Sequence, residues 1–101
     1  MMHFWIAGAG LADFLAGRYE EALVWLHKSR HVNPRFIAGM RHLVTALAHA
    51  GQIEEARKVG KELLGLSPHF KVSTLASWYP LRPQENLERY LEGLRKAGLP
   101  E

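Results

Sequence analysis

An all-α stack of helical hairpins is the fold that this sequence predicts, and three observations lead there. A frame of 34 residues occurs twice without a gap, glycine and proline punctuate each copy at fixed places, and residues 84–97 form one amphipathic stripe. A fixed period of this length marks a repeat architecture, in which each unit buries its apolar face on its neighbours. The identical pairs are Ala12/Ala46, Ala16/Ala50, Gly17/Gly51, Glu20/Glu54, Glu21/Glu55, Ala22/Ala56, Pro34/Pro68 and Phe36/Phe70.

The first helix is expected over about 3–16, and Gly17 ends it in the left-handed conformation that lacks a Cβ clash. The second runs over 19–32. Tyr19 supplies an apolar entry residue, and Glu20 and Glu21 meet the positive end of the helix dipole. Its buried stripe is Ala22, Leu23, Trp25, Leu26 and Ser29, and Pro34 stops it because the residue before proline avoids the α region.

The third helix covers 36–50 and ends at Gly51; the fourth covers 53–66, with Glu54 and Glu55 in its first turn. Its stripe is Ala56, Val59, Gly60, Leu63 and Leu64. A mid-helix glycine costs about 1 kcal/mol relative to alanine, so Gly60 is expected to admit a close neighbouring helix.

A third copy begins at Lys71 and breaks down over 71–79, where Pro80 cuts a short helix. Pro83 is well placed as the first residue of the last helix. There Leu87, Tyr90, Leu91 and Leu94 fall at i, i+3, i+4 and i+7, with Glu85–Arg89 and Glu92–Lys96 as favourable pairs outside. Gly98 closes it. A repeat stack needs a polar-faced terminal helix, so 83–98 is expected to be the C-terminal cap.

With 101 residues the chain holds one domain, 1–101, and one core. Apolar residues at 48% and charged residues at 23% describe a globular chain rather than a disordered one. The absence of cysteine excludes disulfides, thiolate metal sites and thiol nucleophiles. A formal charge of +3 is too small to indicate nucleic acid by itself. Residues 1–17 are mostly apolar, but they carry Asp13, lack a preceding Lys or Arg, and are too short to span a bilayer. They are read as a helix of the fold, with no membrane contact and a cytoplasmic location.

Nothing in the chain assembles an enzyme: G-x-S-x-G, a glycine-rich phosphate loop and an acidic metal cluster are all missing. Asp13, one acid on an apolar helix, is expected to pair with a nearby arginine rather than to catalyse. His27 and His31 share a helix face, but with no third ligand they are expected to be exposed histidines, and no metal or cofactor is assigned. His42 and His49 are seven apart on the third helix, where either ligand contact or plain solvation fits. Arg57, Lys58 and Lys61 alternate with Glu54, Glu55 and Glu62, a solvated face rather than a nucleic-acid surface.

The frame resembles the tetratricopeptide repeat, W-x2-L-G-x2-Y…A-x3-F…P over 34 residues. The first copy, 3–34, aligns Ile6, Ala9, Gly10, Asp13, Ala22, Leu26 and Pro34 with it. The second copy, 37–70, aligns Met40, Leu43, Val44, Leu47, Ala56, Gly60 and Pro68. The resemblance implies a right-handed α-α superhelix whose first helices line a groove for a protein or peptide partner. Position by position, that groove would comprise Phe4, Ala7, Leu11, Phe14 and Leu15, then Ala38, Arg41, Thr45, Ala48 and His49. Ala7, Leu11 and His42 stand where the carboxylate-clamping members carry Lys and Asn, so chaperone-tail binding is not expected.

The tail from Phe70 onward is similar to the close of the tetratricopeptide region in bacterial regulators that carry a class III adenylate cyclase or winged-helix domain. The implied role is a non-catalytic protein-interaction module, the C-terminal part of a bacterial signalling protein; the alternative is a self-association module. Because Phe4, Trp5, Ile6, Leu11, Phe14 and Leu15 crowd the first helix, a homo-oligomer built on that helix is expected.

Overall fold

Three of the helices end in the same way, and these endings set the chain's course. Gly17, Gly51 and Gly98 have φ of 81°, 86° and 83°. In each case the following amide reaches back five residues: Arg18 to the Asp13 carbonyl, Gln52 to Leu47 and Leu99 to Leu94. This pairing satisfies carbonyls that a helix end would otherwise leave open.

The computed structural model describes the backbone over residues 2–101 and side chains over 5–101. Among the described residues there are six helices and no strand: α1 Met2–Leu15, α2 Tyr19–Val32, α3 Ile37–His49, α4 Ile53–Leu66, α5 Val72–Trp78 and α6 Gln84–Lys96. None of them is long and apolar enough to cross a membrane.

α1 pairs with α2, and α3 pairs with α4; α3 also packs on α2 and α1. Gly10 lets α1 close on α2, since a Cβ there would lie 2.5 Å from Leu26 Cγ. α3 is the centre of the molecule, with every residue from Gly39 to Ala48 buried. The buried stripes are Ala22, Leu23, Leu26 and Ser29 on α2, and Ala56, Val59, Gly60 and Leu63 on α4. Trp25 and Leu64 lie only partly covered at their margins. Arg30 of α2 pairs with Glu62 of α4, and Asp13 takes the expected arginine, accepting from Arg18 at 2.7 and 3.0 Å.

The C-terminal third departs from the repeat. α5 buries Val72 and Leu75, and its first two amides donate to the Pro100 and Glu101 carbonyls at 2.8 and 3.2 Å. The final segment therefore closes the exposed end of α5. Gly60 faces this segment, not a neighbouring helix: a Cβ on it would sit 3.4 Å from Leu99 Cδ2. α6 packs chiefly on α3 and only weakly on α5.

Candidate functional site

α6 lies against the side of α3 that also meets α1. Leu87, Tyr90, Leu91, Gly93 and Leu94 are its buried residues, matching the stripe read from the sequence. Thr45 Oγ1 donates to the Tyr90 carbonyl at 2.8 Å. His42 Nδ1 shares a 2.6 Å hydrogen bond with the Tyr90 hydroxyl. His49 Nε2 donates to the Arg89 carbonyl at 2.7 Å, which requires the proton on that nitrogen.

Arg89 turns inward instead of pairing with Glu85. Its Nη2 donates to the Leu15 carbonyl at 2.7 Å and its Nη1 to Tyr19 Oη at 3.2 Å. Leu15 lies in the last turn of α1, where a cation suits both the open carbonyl and the negative end of the helix. The same guanidinium stands 5.1 Å over the Phe14 ring, and Phe14 meets Tyr90 edge-on at 5.9 Å. α6 thus touches α1 and α3 together. The outer Glu92–Lys96 pair does form, at 3.8 Å.

Most of the groove positions expected from the resemblance are covered. Ala7, Phe14, Thr45 and Ala48 are buried, Arg41 is 7% exposed, and Leu11, Leu15, Ala38 and His49 are partly buried. The side chain of Phe4 lies outside the described residues. His42 and His49 are neither solvated nor free, because both are engaged by α6.

The apolar residues of α1 expected to build an oligomer are mostly covered within the chain. Ile6 and Phe14 are 6% and 0% exposed, Leu11 and Leu15 pack against the core, and Trp5 alone of that described set is fully open, at 77%. Phe14 is enclosed by Tyr19, His49 and Tyr90, with ring centroids 5.5 to 5.9 Å away.

A second feature lies between α3 and α5. A cavity of about 330 Å³ opens there, walled by Ile37, Ala38 and Arg41 on one side and Phe70, Leu75 and Trp78 on the other, with Lys71 at its edge. The Arg41 guanidinium stands 4.9 Å over Tyr79 and 5.8 Å over Trp78, and its Nε is buried without a hydrogen-bond partner.

The polar core beside it is held uncharged. Burial, aided by the Arg41 charge, lowers the His42 pKa to about 3. Burial likewise raises the Tyr90 hydroxyl well above its usual range, so it keeps its proton. Elsewhere, His27 and His31 are exposed, and no group of three potential metal ligands occurs among the described residues.

The docking of α6 has a signal in the sequence. Shifted by 47 residues, α3 and α6 share one frame: Met40/Leu87, Leu43/Tyr90, Val44/Leu91, Leu47/Leu94, Ala50/Ala97 and Gly51/Gly98. That offset exceeds the period by 13 residues (47 − 34), which accommodate α5 and its flanking turns. Nothing comparable points to Arg41 as a buried charge.

No family model matches the chain. No curated protein matches it either.

Proposed function

We propose that this chain is a non-catalytic protein-interaction module of the tetratricopeptide kind, its two hairpins stacked in that family's right-handed sense. The observation that carries the reading is the seat of α6. The face formed by α1 and α3 already holds an amphipathic helix, through Phe14, His42, Thr45 and His49. A surface built to accept one such helix suits a partner helix with the same spacing of apolar residues. In this reading α6 is the resident occupant, and a partner binds by competing with it.

The likeness of the tail to bacterial regulators supports placing the module in a cytoplasmic signalling protein. Selection of helical peptides from a random displayed library against the folded chain tests the binding role. Enriched peptides should speed hydrogen exchange of the α6 amides. Failure to enrich any sequence, or binders that leave α6 exchange unchanged, would reject it.

A second reading, self-association, is favoured by Trp5 and Val24, which are 77% and 69% exposed. Light scattering after gel filtration at two concentrations separates the two. A mass of 11.5 kDa at both concentrations rejects self-association.

A further inference from the structure

We propose that the cavity between α3 and α5 binds a small amphipathic monocarboxylate, its carboxylate on Arg41 and Lys71 and its apolar body against Phe70, Leu75 and Trp78. The starting point is the unanswered charge of Arg41. The residue is only 7% exposed, yet it forms no hydrogen bond or ion pair with any described residue, and its Nε is buried and orphaned. The Nε–H is cut off from water with nothing to donate to, which is unfavourable, while the terminal nitrogens keep the little exposure the residue has.

Tyr79 and Trp78 offset part of that cost by cation–π attraction. Rings serve the faces of a guanidinium, however, and leave its in-plane N–H edge unmet. The carboxylates that pair do so elsewhere: Asp13 with Arg18, Glu62 with Arg30, Glu92 with Lys96 and Glu101 with Arg95. No acidic residue lines the cavity.

The walls select the kind of anion. The planar arginine fork matches a carboxylate, and an acid with an apolar body suits the apolar walls better than a phosphate does. The remaining lining is mainly apolar or aromatic, with Ser67 and Thr74 as its other polar residues, the usual mixture of a small-molecule site. Its volume of about 330 Å³ lies at the small end of ligand sites, which suits a short aliphatic or aryl acid. The lining comes from α3, α5 and residues 67–71 and none of it from α6, although Tyr79 beneath Arg41 packs on Tyr90 of α6 at 5.2 Å.

Amide NMR titrations with octanoate and 4-phenylbutyrate test the assignment, with the matching neutral amides and inorganic phosphate as comparators. Both acids should shift the amides of Ala38, Arg41 and Lys71–Trp78, with a dissociation constant of about a millimolar or tighter. The neutral amides should bind at least about tenfold more weakly, since they cannot pair with the cations. Arg41→Gln should weaken the acids by a similar factor, and Lys71→Gln, at the exposed rim, severalfold. The acid–amide comparison uses the unaltered chain and holds even if Arg41→Gln fails to fold. Equal binding of acid and amide, phosphate shifting the same amides in place of the acids, or no shift at any of these residues would overturn the proposal.

Discussion

Gly93 of α6 and Thr45 of α3 meet backbone to backbone. A Cβ built on Gly93 would lie 2.9 Å from Thr45 Cα and 2.1 Å from Thr45 Oγ1. The second clash could be relieved by rotating a side chain, but the first involves the main chain. The same approach allows Thr45 to donate to the Tyr90 carbonyl. Position 93 is therefore where α6 is keyed to its seat.

Gly93→Ala should displace α6 and destabilise the chain by about 1–3 kcal/mol, the usual range for overpacking a tight fit. For a domain of this size each kcal/mol corresponds to roughly 4–8 °C in melting temperature. Adding Thr45→Ala should not restore stability, because the new methyl group still meets the main chain of α3. A melting temperature unchanged by Gly93→Ala would mean that the two helices do not touch there.

His42 makes stability depend on pH. Burial first, and the Arg41 charge second, lower its pKa to about 3 from 6.5. Between those values the unfolded chain binds a proton that the folded chain does not. Stability is thus full above about pH 6.5 and falls as the pH drops through this window, by about 1.4 kcal/mol per unit. Unfolding free energies from urea titrations at about pH 7 and about pH 5 should differ by roughly 2 kcal/mol, and His42→Gln should remove most of that difference. A wild-type profile as flat as that of the variant would show that His42 takes up its proton without unfolding.

The repeat frame placed the first four helices well, because each copy must solve the same geometric problem with the same residues. α2 and α4 span the ranges 19–32 and 53–66 expected from it, and both glycine turns have positive φ. The stripe of α6 was equally legible, but a stripe tells that a face is covered and not by what. The register shared with α3 lies at an offset of 47, outside the 34-residue period. Arg89 stood in good position to pair with Glu85, yet its long side chain reaches the end of α1 instead. Arg41 was least legible of all, since a charged residue is rarely buried without a partner and no local pattern announces one.

Nucleic acid should not bind. Arg57, Lys58 and Lys61 are exposed on α4 among Glu54, Glu55 and Glu62, so the surface field changes sign within one helix. Arg30 is already engaged by Glu62. Fluorescence anisotropy with labelled DNA and RNA should show no binding that weakens steeply with salt; micromolar affinity at about 150 mM salt would contradict this expectation.

Trp5 and Phe14 sit on the same helix with opposite surroundings, and together they separate a folded monomer from an assembly built on α1. Phe14 is wholly buried among Tyr19, His49, Tyr90 and the Arg89 guanidinium. Phe14→Ala should cost about 3–5 kcal/mol at every protein concentration, because its partners all belong to the same chain. Trp5 is 77% exposed, so in a monomer Trp5→Asp should change stability by no more than about 0.5 kcal/mol. In a dimer seated on α1 the wild-type melting temperature rises with concentration, since association stabilises only the folded form. Trp5→Asp would then abolish that rise while leaving the dilute-limit value in place. Melts of both variants and the wild type at two concentrations a hundredfold apart distinguish the cases. A wild-type melting temperature independent of concentration removes the self-association reading, and a Phe14→Ala protein as stable as the wild type removes the packing of α1 against α3 and α6 itself.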